Sequence, residues 1–179
     1  EVVSVLSYKI ADGSWIGTTL NSTQGELCEL CSAKAIEAFA ASLLPDEIGV
    51  ISASWGTTGK LPEEIHESIK RNADKVVFVF AAGNNGTNMV HEPCSYEEVV
   101  CVSALEKFPL TLESGETVEQ LTWFANFDSR VDIFAYGGEI PVEYPGNYYT
   151  RASGPSQATP MVAAEAASLL WEGRRQRAN

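Results

Sequence analysis

The chain has 179 residues, enough for one domain with a core of its own, and its 45% hydrophobic and 20% charged residues are an ordinary globular balance. Twenty-four Asp and Glu against twelve Lys and Arg give a net charge of −12, which argues against binding to nucleic acid or to an anionic membrane surface, since both need a basic face. No apolar run reaches the roughly 18 residues of a membrane span, and the one basic cluster, Arg174, Arg175 and Arg177, reads as a frayed, solvated helix end.

In chain order, residues 1–10 (EVVSVLSYKI) alternate and are β-branched, predicting a strand. Because the chain opens inside this run without a leader, it is expected to be a piece of a longer protein. Ala11–Ser14 is a turn, and residues 17–31 are polar and read as a loop. Residues 33–44 (AKAIEAFAASLL) place Ile36, Phe39, Ala40 and Leu43 at helical spacing, with Ser32 as N-cap and Pro45 just beyond. Residues 48–54 form a short apolar strand ending at Trp55-Gly56. Residues 62–73 open with Pro and acids, a helix start. Residues 75–82, 98–104 and 131–136 are further apolar strands, and residues 156–173 are an Ala-rich buried helix.

Continuous apolar strands separated by helices predict an α/β, three-layer, doubly wound and mainly parallel sheet with helices on both faces. Ligand sites in such sheets lie beyond the carboxyl ends of the strands. Two small-residue motifs sit there, Ser54-Trp55-Gly56 and Gly83-Asn84-Asn85-Gly86, and two adjacent parallel strands would bring them to one edge.

Of the four cysteines, Cys28 and Cys31 form a C-x-x-C, for which free or core thiols, a disulfide and a metal site all stay open; Cys94 and Cys101 are poorly spaced to complete a zinc site. Cys101, inside VVCVSA, is expected as a buried core thiol. Two glycosylation triplets, at Asn21 and Asn85, barely bear on compartment.

The strongest chemical signal is Ala152-Ser153-Gly154-Pro155-Ser156-Gln157-Ala158-Thr159-Pro160. Gly154 and Pro155 break the chain, and Ser156 then starts a helix, where its N–H and the positive helix end favour negative charge on a reacting oxygen. Taken alone, the segment reads first as an N-cap. Likewise Asn84, just after a strand, can offer an amide donor over the sheet edge, or can simply sit in a turn.

Together, and in this order, the segments resemble the subtilisin-like serine peptidases (subtilases). VVFVFAAGNNG resembles that family's strand ending in A-A-G-N, and ASGPSQATPMVAAEAASLL its nucleophile motif S-G-T-S-M-A-T-P-H-V-A-G with the helix that follows. VVCVSA, ANFDSRVDIFAYG, SVLSYKIADGSW and GVISASWG resemble the family's intervening and upstream segments, so the resemblance covers nearly the whole chain. It implies Ser156 as nucleophile and Asn84 as oxyanion donor beside the backbone N–H of Ser156. It implies Ser54, Trp55 and Gly56 as one wall of a peptide groove, and Ala81, Ala82 and Gly83 as the facing wall of the specificity pocket.

The family's triad runs Asp, His, Ser along the chain, so the Asp and His are expected upstream of Glu1. Residues 1–179 then form a single domain portion, incomplete at its N-terminal side. It would be nearly inert alone, and would need its upstream half, or another chain, to cover open strand edges. His66, between Glu64 and Glu67 on a helix, reads as a solvated or rim residue; His91 lies in the loop after Asn84, and neither falls on the catalytic position. The nucleophile motif drifts: Pro155 replaces Thr, Gln157 Met, Met161 His and Ala164 Gly, and Tyr136 stands where Pro is usual. The expected partner is a peptide or protein substrate. No cofactor is called for, with calcium allowed by the resemblance alone, since no D-x-[DN]-x-[DN]-G loop occurs. The compartment stays open, with secretion favoured only weakly by the resemblance. Three functions follow: an endopeptidase completed by upstream sequence, a non-catalytic module that binds peptides in the same groove, and an α/β domain with an unrelated ligand at the sheet edge.

Overall fold

In a computed structural model, residues 29–144 and 148–178 are described, with backbone alone at 29–31, 144, 177 and 178. The expected strand at 1–10, the turn at 11–14, Cys28 and the Asn21 triplet lie outside the described residues.

The element order is α1 (Glu29–Ser42), β1 (Gly49–Ala53), α2 (Glu63–Asn72), β2 (Val76–Ala81), β3 (Val99–Leu105), β4 (Leu110–Thr111), β5 (Thr117–Val118), β6 (Ile133–Tyr136), β7 (Ile140–Tyr144), β8 (Tyr148–Ala152) and α3 (Pro155–Ala178). β1, β2, β3 and β6 pair in that order as a four-stranded parallel sheet. Alternation along β2 divides the core. Val76, Phe78 and Phe80 point to one face, where Ile36 and Ala40 of α1 and Ile65 and Ile69 of α2 meet them. Val79 points to the other face and packs with Val102, Ala104, Ala158 and Ala163, so that α3 lies across all four strands. A strand covered on both faces must be apolar at every position, which is why the run VVFVFA carries no clean period of two. The fold is the expected three-layer α/β arrangement.

Four local expectations are corrected. α1 begins at Glu29, so residues 29–31 are helix rather than loop, and Ser32 is an interior residue, 2% exposed, with an unpartnered hydroxyl. α3 is not buried all round. Its inner face meets the sheet, while Met161 (41%) and Leu169 (60%) stand exposed on the other side. A helix resting on one sheet face needs only one apolar stripe, and the excess of alanine hid that polarity from the sequence. The helix also runs on to Ala178 with an end that is tied down: Arg174 donates to the Asp46 carbonyl at 2.8 Å and pairs with Glu47 at 3.6 Å, and the Arg175 guanidinium lies over Trp171.

The fourth concerns Cys101. It is buried, as expected, but it is joined to Cys94 in a disulfide. The chain reverses over Pro93–Val99, with Tyr96 N–H donating to the Pro93 carbonyl and Val99 N–H to the Tyr96 carbonyl, which brings the two Cα atoms to 4.9 Å. A closure this short removes on the order of 2–3 kcal/mol of unfolded-chain freedom. Replacing both half-cystines with alanine is expected to cost at least that much in a denaturant titration. An unchanged midpoint would mean that the bond contributes nothing.

Two antiparallel hairpins, β4–β5 and β7–β8, complete the described structure.

Candidate active site

Because β1 and β2 are parallel neighbours with Ala53 opposite Phe80, the chain leaves both strands at the same edge of the sheet. Ser54–Gly56 continue from β1, and Ala82–Asn84 from β2, as the sequence predicted. Trp55 is half-buried and stands edge-on to Phe80 at 5.3 Å, so its ring packs against the core. Ala81 and Ala82 are buried at the end of β2.

The turn before α3 comes to this edge as well. Gly154 N–H donates to the carbonyl of Gly137, just after β6, at 2.8 Å. Gly154 has φ +146°, a backbone region that suits glycine, and a Cβ there would lie 3.0 Å from Asn84 Oδ1. The Asn84 side chain therefore rests against the turn that carries Ser156. Asn84 Oδ1 is buried and has no hydrogen-bond partner among the described residues. In the first turn of α3 the Ser156 N–H has no carbonyl four residues back to bond within the helix.

Pro160 explains a second link. It has no N–H, so the carbonyl of Ser156, four residues earlier, loses its normal helical donor. Ser54 Oγ donates to that carbonyl instead, at 2.8 Å across 102 residues of chain. The segment after β1 and the start of α3 are thereby stitched together. Thr159 Oγ1 donates to the Pro155 carbonyl at 2.7 Å and fixes the same turn from inside.

The loop bearing Asn84 is organised by a residue that sequence reasoning passed over. Asn126 is fully buried. Its Oδ1 accepts from Asn85 N–H at 2.8 Å, its Nδ2 donates to the Ala82 carbonyl at 3.1 Å, and its own N–H donates to the Gly83 carbonyl at 3.0 Å. Ser103 Oγ in turn donates to the Asn126 carbonyl at 2.6 Å. Asn126→Ala removes the acceptor of the Asn85 N–H and leaves the Ala82 carbonyl with only its bond from the His91 N–H, and is expected to cost about 1–3 kcal/mol. Asn126→Asp keeps the acceptor and loses one donor. A denaturant titration should rank wild type, Asp, Ala in falling order; equal stability of all three would contradict the role. The signal for this residue was the ANF at the head of ANFDSRVDIFAYG, whose asparagine looks back across 41 residues to Asn85.

His66 is a rim residue, its side chain 34% exposed: it stacks on Tyr96 with ring centroids 3.9 Å apart and faces Glu98 at 3.3 Å. His91 lies beside the same sheet edge, with its Nε2 2.6 Å from Asn85 Oδ1. Burial pushes its imidazole below the ordinary histidine range, leaving it neutral near pH 7. Among the described residues no group of three or more His, Cys, Asp or Glu side chains is placed to hold a metal ion. Among the same residues, no helix is long and apolar enough to cross a membrane.

A family model described as "Subtilase family" matches residues 6–176. The chain belongs to the subtilase family. It is 40% identical over 98 residues to a thermophilic serine proteinase of Bacillus sp. (strain AK1), covering 55% of this chain and 22% of that protein. It is 32% identical over 126 residues to an intracellular serine protease of Paenibacillus polymyxa, covering 67% of this chain and 35% of the relative. The self-cleaved protease domain of PatA superposes with a TM-score of 0.69 at 29% identity, over 84% of this chain and 54% of that one. The subtilase chain thus spans about a fifth to a third of these curated relatives and half of the solved domain.

Proposed function

We propose that the chain is the downstream part of the catalytic domain of a subtilase serine endopeptidase, completed by an Asp and a His from sequence upstream of residue 1 or from an associated chain. Ser156 is the nucleophile. Its Oγ attacks the carbonyl carbon of the scissile peptide bond while the histidine takes its proton, and the same histidine then returns that proton to the leaving amine. The negative charge on the carbonyl oxygen is met by the Ser156 N–H and by the Asn84 amide. Ser54–Gly56 and Ala81–Gly83 hold the substrate as an added strand between them.

The observation that carries this reading is the meeting of the Asn84 side chain with the Gly154 turn. Two loops 70 residues apart in sequence converge on one spot, beside a helix N-terminus that favours an anion. A fluorophosphonate probe tests it. The full-length protein should be labelled, and Ser156→Ala should not. Labelling that survives in Ser156→Ala, or that fails in the active full-length protein, would overturn the assignment.

The drift around the nucleophile supports a second reading, a non-catalytic subtilase module that binds peptides in the same groove. Pro155 and Gln157 flank the serine where the family usually carries Thr and Met. That reading predicts peptide binding with no labelling by the probe under any condition.

A further inference from the structure

The two groove walls do not enclose an open trough. Residues 91–92 run between them as a third strand-like segment. On one side Thr57 N–H donates to the Glu92 carbonyl and Glu92 N–H to the Thr57 carbonyl, both at 2.9 Å; on the other, His91 N–H donates to the Ala82 carbonyl at 3.0 Å. Backbone bonds on both sides hold this segment at a fixed height beneath the walls, and the side chain of His91 fills what remains. A Cβ on Gly56 would lie 2.9 Å from His91 Cβ, and a Cβ on Gly83 would lie 2.7 Å from His91 Nε2. The His91 side chain therefore spans the gap between the two segments, with its Cβ beside Gly56 and its Nε2 beside Gly83, the residue next to Asn84. Its position is set, since Nε2 is 2.6 Å from Asn85 Oδ1. Glu92, beside it, is committed elsewhere: its carboxylate accepts from Leu61 N–H at 2.7 Å and from the Tyr96 hydroxyl at 2.9 Å.

We propose that His91 is a specificity-determining residue whose ring forms the floor of the cleft between Gly56 and Gly83, so that the groove accepts a small side chain, such as alanine, on the residue N-terminal to the scissile bond. The inference rests on the groove assignment above. The residue whose carbonyl lies against Asn84 and Ser156 directs its side chain between these walls. A methyl group fits above the imidazole. A benzyl group meets the ring and must displace it, breaking the contact with Asn85.

The test uses the full-length protein and two peptides of identical sequence ending in a free carboxylate after alanine or after phenylalanine, titrated calorimetrically. These are acyl-side products, so their binding reads the cleft whether or not the protein is catalytic. Hydrolysis of internally quenched versions, with Ser156→Ala as control, reads the peptidase assignment separately. Wild type should bind the alanine peptide at least about tenfold more tightly than the phenylalanine peptide. His91→Gly, and independently His91→Ser, should erase or invert that ratio. Equal or tighter binding of the phenylalanine peptide by wild type, a ratio unchanged in both variants, or no binding of either peptide would overturn the proposal. Loss of hydrolysis with the ratio intact would overturn the peptidase reading alone.

Discussion

Replacing Ser156 with alanine in the full-length protein is expected to lower peptide-bond turnover by about 10⁶-fold, the magnitude known for a subtilisin that loses its serine or its histidine. The size follows from what the hydroxyl does. In the proposed mechanism it forms the acyl bond, and the neighbouring hydroxyls are engaged elsewhere: Ser54 Oγ donates to the Ser156 carbonyl, and Ser153 Oγ accepts from Glu139 N–H. The fold should not suffer, because Ser156 is half-exposed in the first turn of α3. What remains is the residual rate of a site that binds and polarises its substrate, roughly 10³–10⁴ over water. Steady-state kinetics with a chromogenic peptide checks this. A variant that keeps more than a hundredth of wild-type turnover would mean that another nucleophile operates.

Asn84→Ala is expected to reduce kcat by about 10²–10³ with little change in KM, the loss known for a subtilisin deprived of its side-chain oxyanion donor. An interaction made mainly in the transition state lowers kcat and kcat/KM together. The same substitution should leave stability nearly untouched, since Asn84 Oδ1 has no hydrogen-bond partner to lose among the described residues. The contrast with Asn126 is the informative part. Both are asparagines of the same loop system, but Asn126 is saturated with backbone partners and should cost folding energy, whereas Asn84 should cost rate. Kinetics and a denaturant titration on the two alanine variants separate the roles. A destabilised Asn84→Ala with normal kcat would reverse the assignment.

The parallel sheet was legible because each inner strand is a short continuous apolar run, bounded by small or polar residues, and because helical spacing in 33–44 and 62–73 separates those runs. The segments at Ser54–Gly56, Gly83–Gly86 and Gly154–Ser156, which the structure brings to one edge of the sheet, were legible as small-residue motifs at element ends, where a doubly wound sheet places its ligands. The hairpins were not read. Leu110–Thr111 and Thr117–Val118 are two-residue strands with no buried face to impose a period, and β7–β8 offered only the Pro-Gly-Asn between IPVEY and YYTRA as a turn signal. The start of α1 was placed late because serine is both a favoured N-cap and a tolerated interior residue, and only burial of Ser32 distinguishes the two. Three features depended on tertiary pairing that no local pattern carries. Cys94 meets Cys101 through a chain reversal, Asn126 reaches back to the Asn84 loop, and His91 enters the cleft because its neighbour Glu92 pairs with Thr57.

The account depends most on a shared oxyanion position between Ser156 and Asn84. A crystal structure of the full-length protein carrying a peptidyl phosphonate on its serine measures it directly. The phosphoryl oxygen should accept hydrogen bonds from both the Ser156 N–H and the Asn84 amide, at about 2.7–3.1 Å. An adduct on Ser156 whose oxygen points away from Asn84, or an adduct on a different residue, would contradict it.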